Sequence, residues 1–116
     1  MNRREAEQRG RRAETIAAWW LRLHGWRILA QRVKMRGGEV DLVARRGKML
    51  AFVEVKQRAT ADAAALALDE HRLRRVAVAA RQLEARYARP GDDIRIDAIF
   101  IVPSRLPQHL VNVWLG

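Results

Sequence analysis

The sequence predicts an α/β domain in which helices flank a mixed central sheet of about five strands, in the order α-β-β-β-α-β-β. Three observations carry this prediction. Apolar residues recur with a helical period in residues 13–24 and again in residues 73–87. Apolar and polar residues alternate with the period of a strand in residues 39–56. Residues 94–102 form an apolar-rich run with the length of a buried strand.

The first helix is predicted to begin at Ala13, where apolar residues start to recur at i, i+3, i+4 and i+7, and Gly25 is its predicted C-cap. The preceding residues are almost all charged or small, and we expect residues 1–8 to fray. Residues 26–32 alternate as a first strand. The glycine pair at residues 37–38 then makes the turn into the next strand.

A β-hairpin is predicted at the centre of the chain. Its strands are residues 39–44 and 49–56, and the polar link 45–48 contains Gly47, which suits a hairpin turn. The alanine-rich residues 59–68 follow without Gly or Pro. The sequence leaves two alternatives open for them, a helix or a mobile flap beside the hairpin.

The second half of the chain predicts a helix and two strands. Asp69 is a suitable N-cap for the second helix, and Pro90 with Gly91 ends it. That helix supplies the right-handed crossover that brings the following strand, residues 94–102, parallel to a neighbour. Pro103 stops this strand, and residues 110–115 are predicted to form a last edge strand.

Composition limits the domain organisation and the class of partner. The 116 residues predict a single domain, 1–116, and the net charge of +10 favours nucleic acid or an anionic membrane surface, of which we expect nucleic acid. The absence of cysteine excludes disulfides and thiol catalysis. No apolar run reaches the roughly 18 residues of a membrane span, and the charged N-terminus lacks a signal core. We therefore expect a cytoplasmic protein without a membrane partner.

Three carboxylates and a lysine lie within the predicted hairpin. Residues two apart on a strand share a face, which pairs Glu39 with Asp41 and Glu54 with Lys56. A carboxylate among apolar residues is costly unless it is paired or binds a metal. Converging carboxylates suit Mg2+, and a neighbouring lysine suits phosphodiester hydrolysis because it can orient water or offset developing charge.

This stretch resembles the PD-(D/E)XK nuclease superfamily, in which an acidic residue on one strand is followed by Glu-x-Lys on the next. Asp41 and the segment Glu54-Val55-Lys56 fill those positions, and Val40 stands where the signature has proline. The longer string GGEVDLVAR…FVEVKQR is similar to the YraN family of small bacterial predicted endonucleases, which are related to archaeal Holliday-junction resolvases. The resemblance spans roughly residues 9–102 and implies a restriction-endonuclease-like core with a metal-dependent nuclease site.

The resemblance also implies roles for individual residues. Asp41 and Glu54 would ligate Mg2+ or Mn2+ with the carbonyl of Val55 nearby, and Lys56 would serve the attacking water. Glu14, on the first helix, is a solvated glutamate when judged from the residues alone, but the resemblance implies a place at the metal site. Glu39 is expected to be structural. Asp97 is expected to form a structural ion pair with Arg95, not to ligate the metal.

The basic residues predict contacts with a phosphate backbone. The predicted nucleic-acid-binding residues are Lys34, Arg36, Arg45, Arg46, Arg58, Arg72 and Arg75. The absence of a base-reading motif favours recognition of DNA structure over sequence. Together with the nuclease site that the resemblance implies, this predicts a metal-dependent endodeoxyribonuclease acting on structured or branched DNA. Two alternatives remain open. One is a non-catalytic nucleic-acid-binding module with a relict or partner-dependent site, and the other is a homodimer that pairs through the apolar tail, residues 110–115.

Overall fold

A five-stranded mixed sheet flanked by three helices forms the protein, as the computed structural model describes it for residues 2–114. This confirms the predicted fold class. The helices are α1 (Arg3–Leu23), α2 (Ala61–Ala67) and α3 (Glu70–Tyr87). The strands are β1 (Arg27–Met35), β2 (Gly38–Arg46), β3 (Met49–Gln57), β4 (Asp93–Ile101) and β5 (Gln108–Leu110).

The strands lie side by side in chain order, β1-β2-β3-β4-β5. β3 and β4 are parallel, whereas the other neighbouring pairs are antiparallel. Parallel neighbours need a crossover connection, and α2 and α3 provide it between β3 and β4. β2 and β3 form the predicted hairpin, and its turn consists of Gly47 in a left-handed conformation (φ 60°) and Lys48.

The helices cover opposite faces of the sheet. α1 packs on one face, in a core that includes Leu42 and Val53, and α3 packs on the other, in a core that includes Phe52. Because side chains alternate along β3, Glu54 and Lys56 follow Phe52 onto the α3 face. The chain thus inserts two charged residues into the central strand of the sheet.

Close packing of α3 on β2 explains one of the predicted turn glycines. A Cβ at Gly38 would lie 2.1 Å from the carbonyl oxygen of Arg75 and 2.9 Å from the amide nitrogen of Ala79. Any side chain at Gly38 would push α3 away from the sheet, so glycine is required here by contact with the helix.

Helix α1 begins earlier than the apolar period indicates. The side chain of Asn2 accepts a hydrogen bond from the Glu5 amide, and the helix runs from Arg3, which corrects the predicted start at Ala13. Residues 3–8, for which the sequence predicts fraying, form its first turns. Residues 3–12 are all exposed, so they carry no apolar stripe that periodicity could detect.

Three other element boundaries can be compared with the sequence predictions. Residues 59–68 adopt the helical alternative, because α2 begins after Thr60, whose hydroxyl accepts from the Ala63 amide. Asp69 caps α3 as predicted. The last strand is wrong in extent, since β5 covers only Gln108–Leu110 and Leu115 lies outside the described residues. The strand edge available for the hypothetical homodimer is correspondingly short.

Within residues 2–114, no helix is long and apolar enough to cross a membrane.

Candidate active site

The site is built where β2 and β3 separate. Their pairing runs from Arg46–Met49 to Leu42–Val53, after which β2 continues along β1 while β3 continues along β4. We call this opening the fork. Asp41 lies at its mouth, and its Oδ2 accepts the Val55 N–H at 2.7 Å in place of a strand carbonyl. The N–H and C=O of a strand residue point to the same side, so the Val55 carbonyl also faces the fork.

Glu54 is the most deeply buried acid of the site, with none of its surface exposed. Its Oε1 lies 2.9 Å from Lys56 Nζ and accepts a hydrogen bond from Arg72 Nη2 at 2.7 Å. These contacts confirm that Glu54 and Lys56 share a face of β3. The second oxygen, Oε2, is buried and has no hydrogen-bond partner among the described residues.

Glu14 reaches the site from α1 and is also buried. Arg32 Nε lies 2.7 Å from Glu14 Oε2, and the two side chains form an ion pair. Arg32 itself adopts a left-handed backbone conformation (φ 55°), which is uncommon for a residue with a side chain. Burial raises the pKa of Glu14, the Arg32 charge opposes that rise, and the Glu54 charge adds to it.

Asp41 is the carboxyl group most affected by its surroundings. Burial and the charge of Glu54 raise its pKa from 3.8 to about 8, and Glu14 adds to the increase. The Val55 N–H and the Lys56 charge act in the opposite direction but do not outweigh the other causes. The electrostatic coupling links the acid from α1 with those from β2 and β3. The raised pKa values of Glu14 and Asp41 therefore reflect burial and the closeness of the carboxylates to one another, although Arg32, Lys56 and Arg72 contact the two glutamates.

Carboxylate oxygens are suitable ligands for a hard divalent cation, but the oxygens of Glu14, Asp41 and Glu54 do not point to one common position. Within residues 2–114, no three His, Cys, Asp or Glu side chains are already placed to hold a metal ion. Instead, Arg32 contacts Glu14 Oε2, and Arg72 contacts Glu54 Oε1. Glu54 Oε2 is buried without a hydrogen-bond partner among residues 2–114, whereas Glu14 Oε2 lies beside Arg32. Carboxylate oxygens are the ligands that Mg2+ prefers.

The two remaining acids of the predicted set have structural partners. Glu39 Oε1 lies 3.4 Å from Arg72 Nη1, so Glu39 helps to hold the arginine that contacts Glu54. Asp97 is fully buried and receives hydrogen bonds from Arg95 Nε at 2.9 Å, among others. His109 Nε2 lies 2.8 Å from its other oxygen. The predicted pair of Asp97 with Arg95 is confirmed.

Arg45 was predicted to contact nucleic acid because of its charge, and that prediction is wrong. It is buried, and its guanidinium donates to both carboxylate oxygens of Asp92, at 2.9 and 2.8 Å, and to the Tyr87 carbonyl at 2.8 Å. A buried arginine held by a bidentate carboxylate has no donor surface for a phosphate. The prediction that Arg45 contacts nucleic acid is therefore corrected to a structural role. Arg46 follows it at the end of β2 remote from Asp41 and stacks over Trp26, 4.7 Å from the ring centre.

Other predicted basic residues border the site through two cavities that flank the exposed half of α1. The first, of about 480 Å³, is lined by Asp41, Glu14 and Lys34 among others. The second, of about 690 Å³, is lined by Lys56 and Arg58 among others. The structure thus brings Lys34 and Arg58 to the two sides of the catalytic candidates.

The remaining predicted basic residues lie along α3 and the β1–β2 turn. Arg72, from α3, lies at the centre of the site as the partner of Glu54. Arg75 is half-buried one turn further along that helix, and Arg36 is exposed in the turn. A phosphate-contacting role for Arg36 and Arg75 stays a prediction.

Sequence reasoning missed Arg32 as a site residue and the pairing of Arg72 with Glu54. Arg32 contacts Glu14 across the gap between an edge strand and a helix. Such a contact depends on how elements pack, and nothing in the local pattern of either element announces it. The unusual φ of Arg32 is likewise a property of the folded strand.

Comparison with known proteins gives a family without an activity. The family model described as uncharacterised protein family UPF0102 matches residues 13–101, a range that contains Glu14, Asp41, Glu54 and Lys56. A UPF0102 protein of Sphingopyxis alaskensis is 63% identical over 114 residues, which cover 98% of both chains. A second, from Rhizorhabdus wittichii, is 61% identical over 117 residues, 100% of this chain and 99% of its own. A third, from Erythrobacter litoralis, is 54% identical over 114 residues, 98% of both. These names state no activity.

Proposed function

The chain belongs to the uncharacterised protein family UPF0102, and we propose that it is a divalent-metal-dependent endonuclease that hydrolyses phosphodiester bonds of structured or branched DNA. One observation carries the proposal. Glu54 Oε2 is buried at the fork and has no hydrogen-bond partner within the described range, beside an Asp41 whose pKa is raised to about 8. An unsatisfied carboxylate among other acids is costly, and a divalent cation would offset that cost.

Three carboxylates would hold the cation, Mg2+ or Mn2+. Asp41 and Glu54 offer oxygens from neighbouring strands, Glu14 offers one from the helix above them, and the Val55 carbonyl faces the same opening. When bound, a divalent cation supplies positive charge for the phosphate and favours ionisation of water at neutral pH.

The chain's own cations would act on the phosphate. The Lys56 ammonium, 2.9 Å from Glu54 Oε1, is held at the border of the site, where it would position the attacking water and offset negative charge that develops on the phosphate. Arg72 holds the same glutamate oxygen from α3. The net charge of +10 favours approach of a polyanion to this site.

A cleavage panel tests the proposal. The purified protein is incubated with flap, junction, single-stranded and duplex DNA in the presence of Mg2+ or Mn2+, and cleavage of at least one structured substrate is expected. Asp41→Asn should abolish cleavage. The matched control is Asp93→Asn, which makes the same substitution at an exposed position at the opposite end of the sheet and should cleave as wild type. Absence of cleavage with every substrate, together with absence of metal binding by calorimetry, would refute the proposal.

A second candidate, a nucleic-acid-binding module with a relict or partner-dependent site, is favoured by a different observation. Lys56, Arg72 and Arg32 already contact the site's glutamates, so positive charge from the chain itself partly replaces that of a cation. In that case wild type binds DNA without cutting it. Asp41→Asn would then leave DNA affinity unchanged or increase it, because a negative charge is removed from the surface that meets the phosphates.

A further inference from the structure

The larger of the two cavities beside α1 is distinct in chemistry from the one that contains the carboxylates. It has a volume of about 690 Å³, within the range typical of small-ligand sites. It lies between the exposed half of α1 and the segments that follow β3 and β4, and it includes Lys56. We call it the α1 cavity. Lys56, which contacts Glu54 of the candidate active site, is one of its lining residues.

The walls of the α1 cavity combine positive charge with apolar surface. Arg9, Lys56 and Arg58 line it, and none of its ten lining residues, all within the described range, is acidic. The smaller cavity on the other side of α1 contains Glu7, Glu14, Glu39 and Asp41. Apolar contacts in the α1 cavity come from alanines of the helix, from Val55 and from Pro103. The α1 cavity therefore suits an anionic ligand that also has an apolar ring face.

Gly10 lines the α1 cavity and contributes no side chain to it. It lies inside the helix, where glycine is less favourable than alanine by about 1 kcal/mol. A Cβ at Gly10 would meet nothing within 4 Å, so packing does not require the glycine. Its backbone φ is not left-handed either, so conformation does not require it. What a side chain at Gly10 would do is project into the α1 cavity.

We infer that the α1 cavity binds one unpaired nucleotide of a DNA strand, next to the phosphodiester that the active site cleaves, an assignment that rests on the proposed nuclease function. The base lies against the aliphatic wall, and Arg9 and Arg58 contact the adjoining phosphates. A base that is stacked and paired in a duplex is unable to enter the α1 cavity. The protein is thereby selective for DNA strands with unpaired nucleotides, such as those at flaps, at points where a duplex opens into single strands, and at junction points.

Binding measured without metal tests this inference separately from cleavage. The probes are a fluorescent single-stranded oligothymidylate and a blunt duplex, followed by anisotropy in a chelating buffer. The blocking variant is Gly10→Leu, which improves helix propensity and adds an apolar side chain at the wall of the α1 cavity. The matched control is Gln8→Leu, because Gln8 is exposed on the same helix and lines neither cavity. Circular dichroism with thermal unfolding verifies that both variants fold.

The expected result is a loss of about tenfold in single-strand affinity for Gly10→Leu, which corresponds to about 1.4 kcal/mol, with duplex affinity within about twofold of wild type. Gln8→Leu should match wild type on both probes. Equal loss on both probes, or no loss on either, overturns the inference. If Gly10→Leu loses single-strand affinity alone while the wild-type protein does not cleave DNA, the nuclease proposal is refuted and the nucleotide site is retained. If a Gly10→Leu protein cleaves DNA and its single-strand affinity is unchanged, the nucleotide site is refuted and the nuclease proposal is retained.

Discussion

Substituting asparagine for Asp41 tests the electrostatic account of the fork, and we expect it to stabilise the metal-free protein. Burial and then the Glu54 charge raise the pKa of Asp41 from 3.8 to about 8. A carboxyl group whose pKa is raised on folding stabilises the folded state below its unfolded pKa and loses that contribution as the pH rises through the folded pKa. Towards pH 8 the folded protein therefore bears a growing cost, because Asp41 must either keep a proton that the unfolded chain releases or ionise in a buried site, whereas asparagine bears neither cost.

The size of the effect follows from the shift. About four pKa units, at about 1.4 kcal/mol each, correspond to an upper limit of about 6 kcal/mol near pH 8. Asp41 is partly exposed, so water screens part of this cost. We expect Asp41→Asn to raise the free energy of unfolding by about 1–3 kcal/mol near pH 8, and less towards pH 5. The asparagine carbonyl can still accept the Val55 N–H, so the backbone contact is retained.

Urea unfolding followed by circular dichroism, in a chelating buffer from about pH 5 to about pH 8, measures this difference. The matched control is Asp97→Asn, the same substitution at a fully buried strand position. Burial acts to raise the pKa of Asp97, but hydrogen bonds from His109 and Arg95 outweigh it and lower that pKa. The control should therefore destabilise the protein by leaving Arg95 without its partner. Lower stability of Asp41→Asn near pH 8, with the control behaving as expected, would refute the electrostatic account.

Three further outcomes are expected. Lys56→Arg should retain measurable cleavage while Lys56→Ala loses about a hundredfold, a typical size for one stabilising donor; if arginine is as inactive as alanine while metal and DNA still bind, proton transfer or strict geometry must replace the electrostatic role. DNA affinity should fall with a log–log salt slope steeper than about −3.5, for roughly four phosphate contacts, and a flat dependence would contradict it. The Arg45 hydrogen bonds lower the pKa of Asp92 from 3.8 to about 2, so wild type should lose stability as the pH falls through that interval. Asp92→Asn should lack that acid dependence in thermal unfolding, and parallel curves would speak against it.

Sequence periodicity predicted the long elements that pack on a partner, but it left α2 open and gave the wrong extent for β5. The alternation in residues 49–56 reports the two faces of β3, each covered by a helix, and it correctly placed Glu54 beside Lys56. The same reasoning failed for the first turns of α1, because residues 3–12 are exposed on every side. A helix segment that packs on nothing has no reason to repeat apolar residues, and its start is set instead by the Asn2 cap.

The site could be predicted within a strand but not between elements. Glu54 and Lys56 are two residues apart, so strand geometry alone brings them together. The contact between Asp41 and the Val55 amide depends on where the strands separate, which the alternating pattern does not encode. Charge was equally insufficient for Arg45, whose partner Asp92 is 47 residues away in the chain and hides the guanidinium from solvent.

The contrast between Asp97 and the acids of the fork bears on what the fork is for. Asp97 is as buried as Glu54, and both of its oxygens are satisfied by side chains and by the Asn112 amide. The fold is therefore able to satisfy a buried carboxylate on a central strand. At the fork it leaves Glu54 Oε2 without a hydrogen bond from any described residue and sets Asp41 beside it with a raised pKa. Among residues 2–114, Arg45 Nε is also buried without a hydrogen-bond partner, so the contrast concerns the carboxylates. A divalent cation would satisfy Glu54 Oε2 and also favour the ionised form of Asp41, which apolar packing would not do.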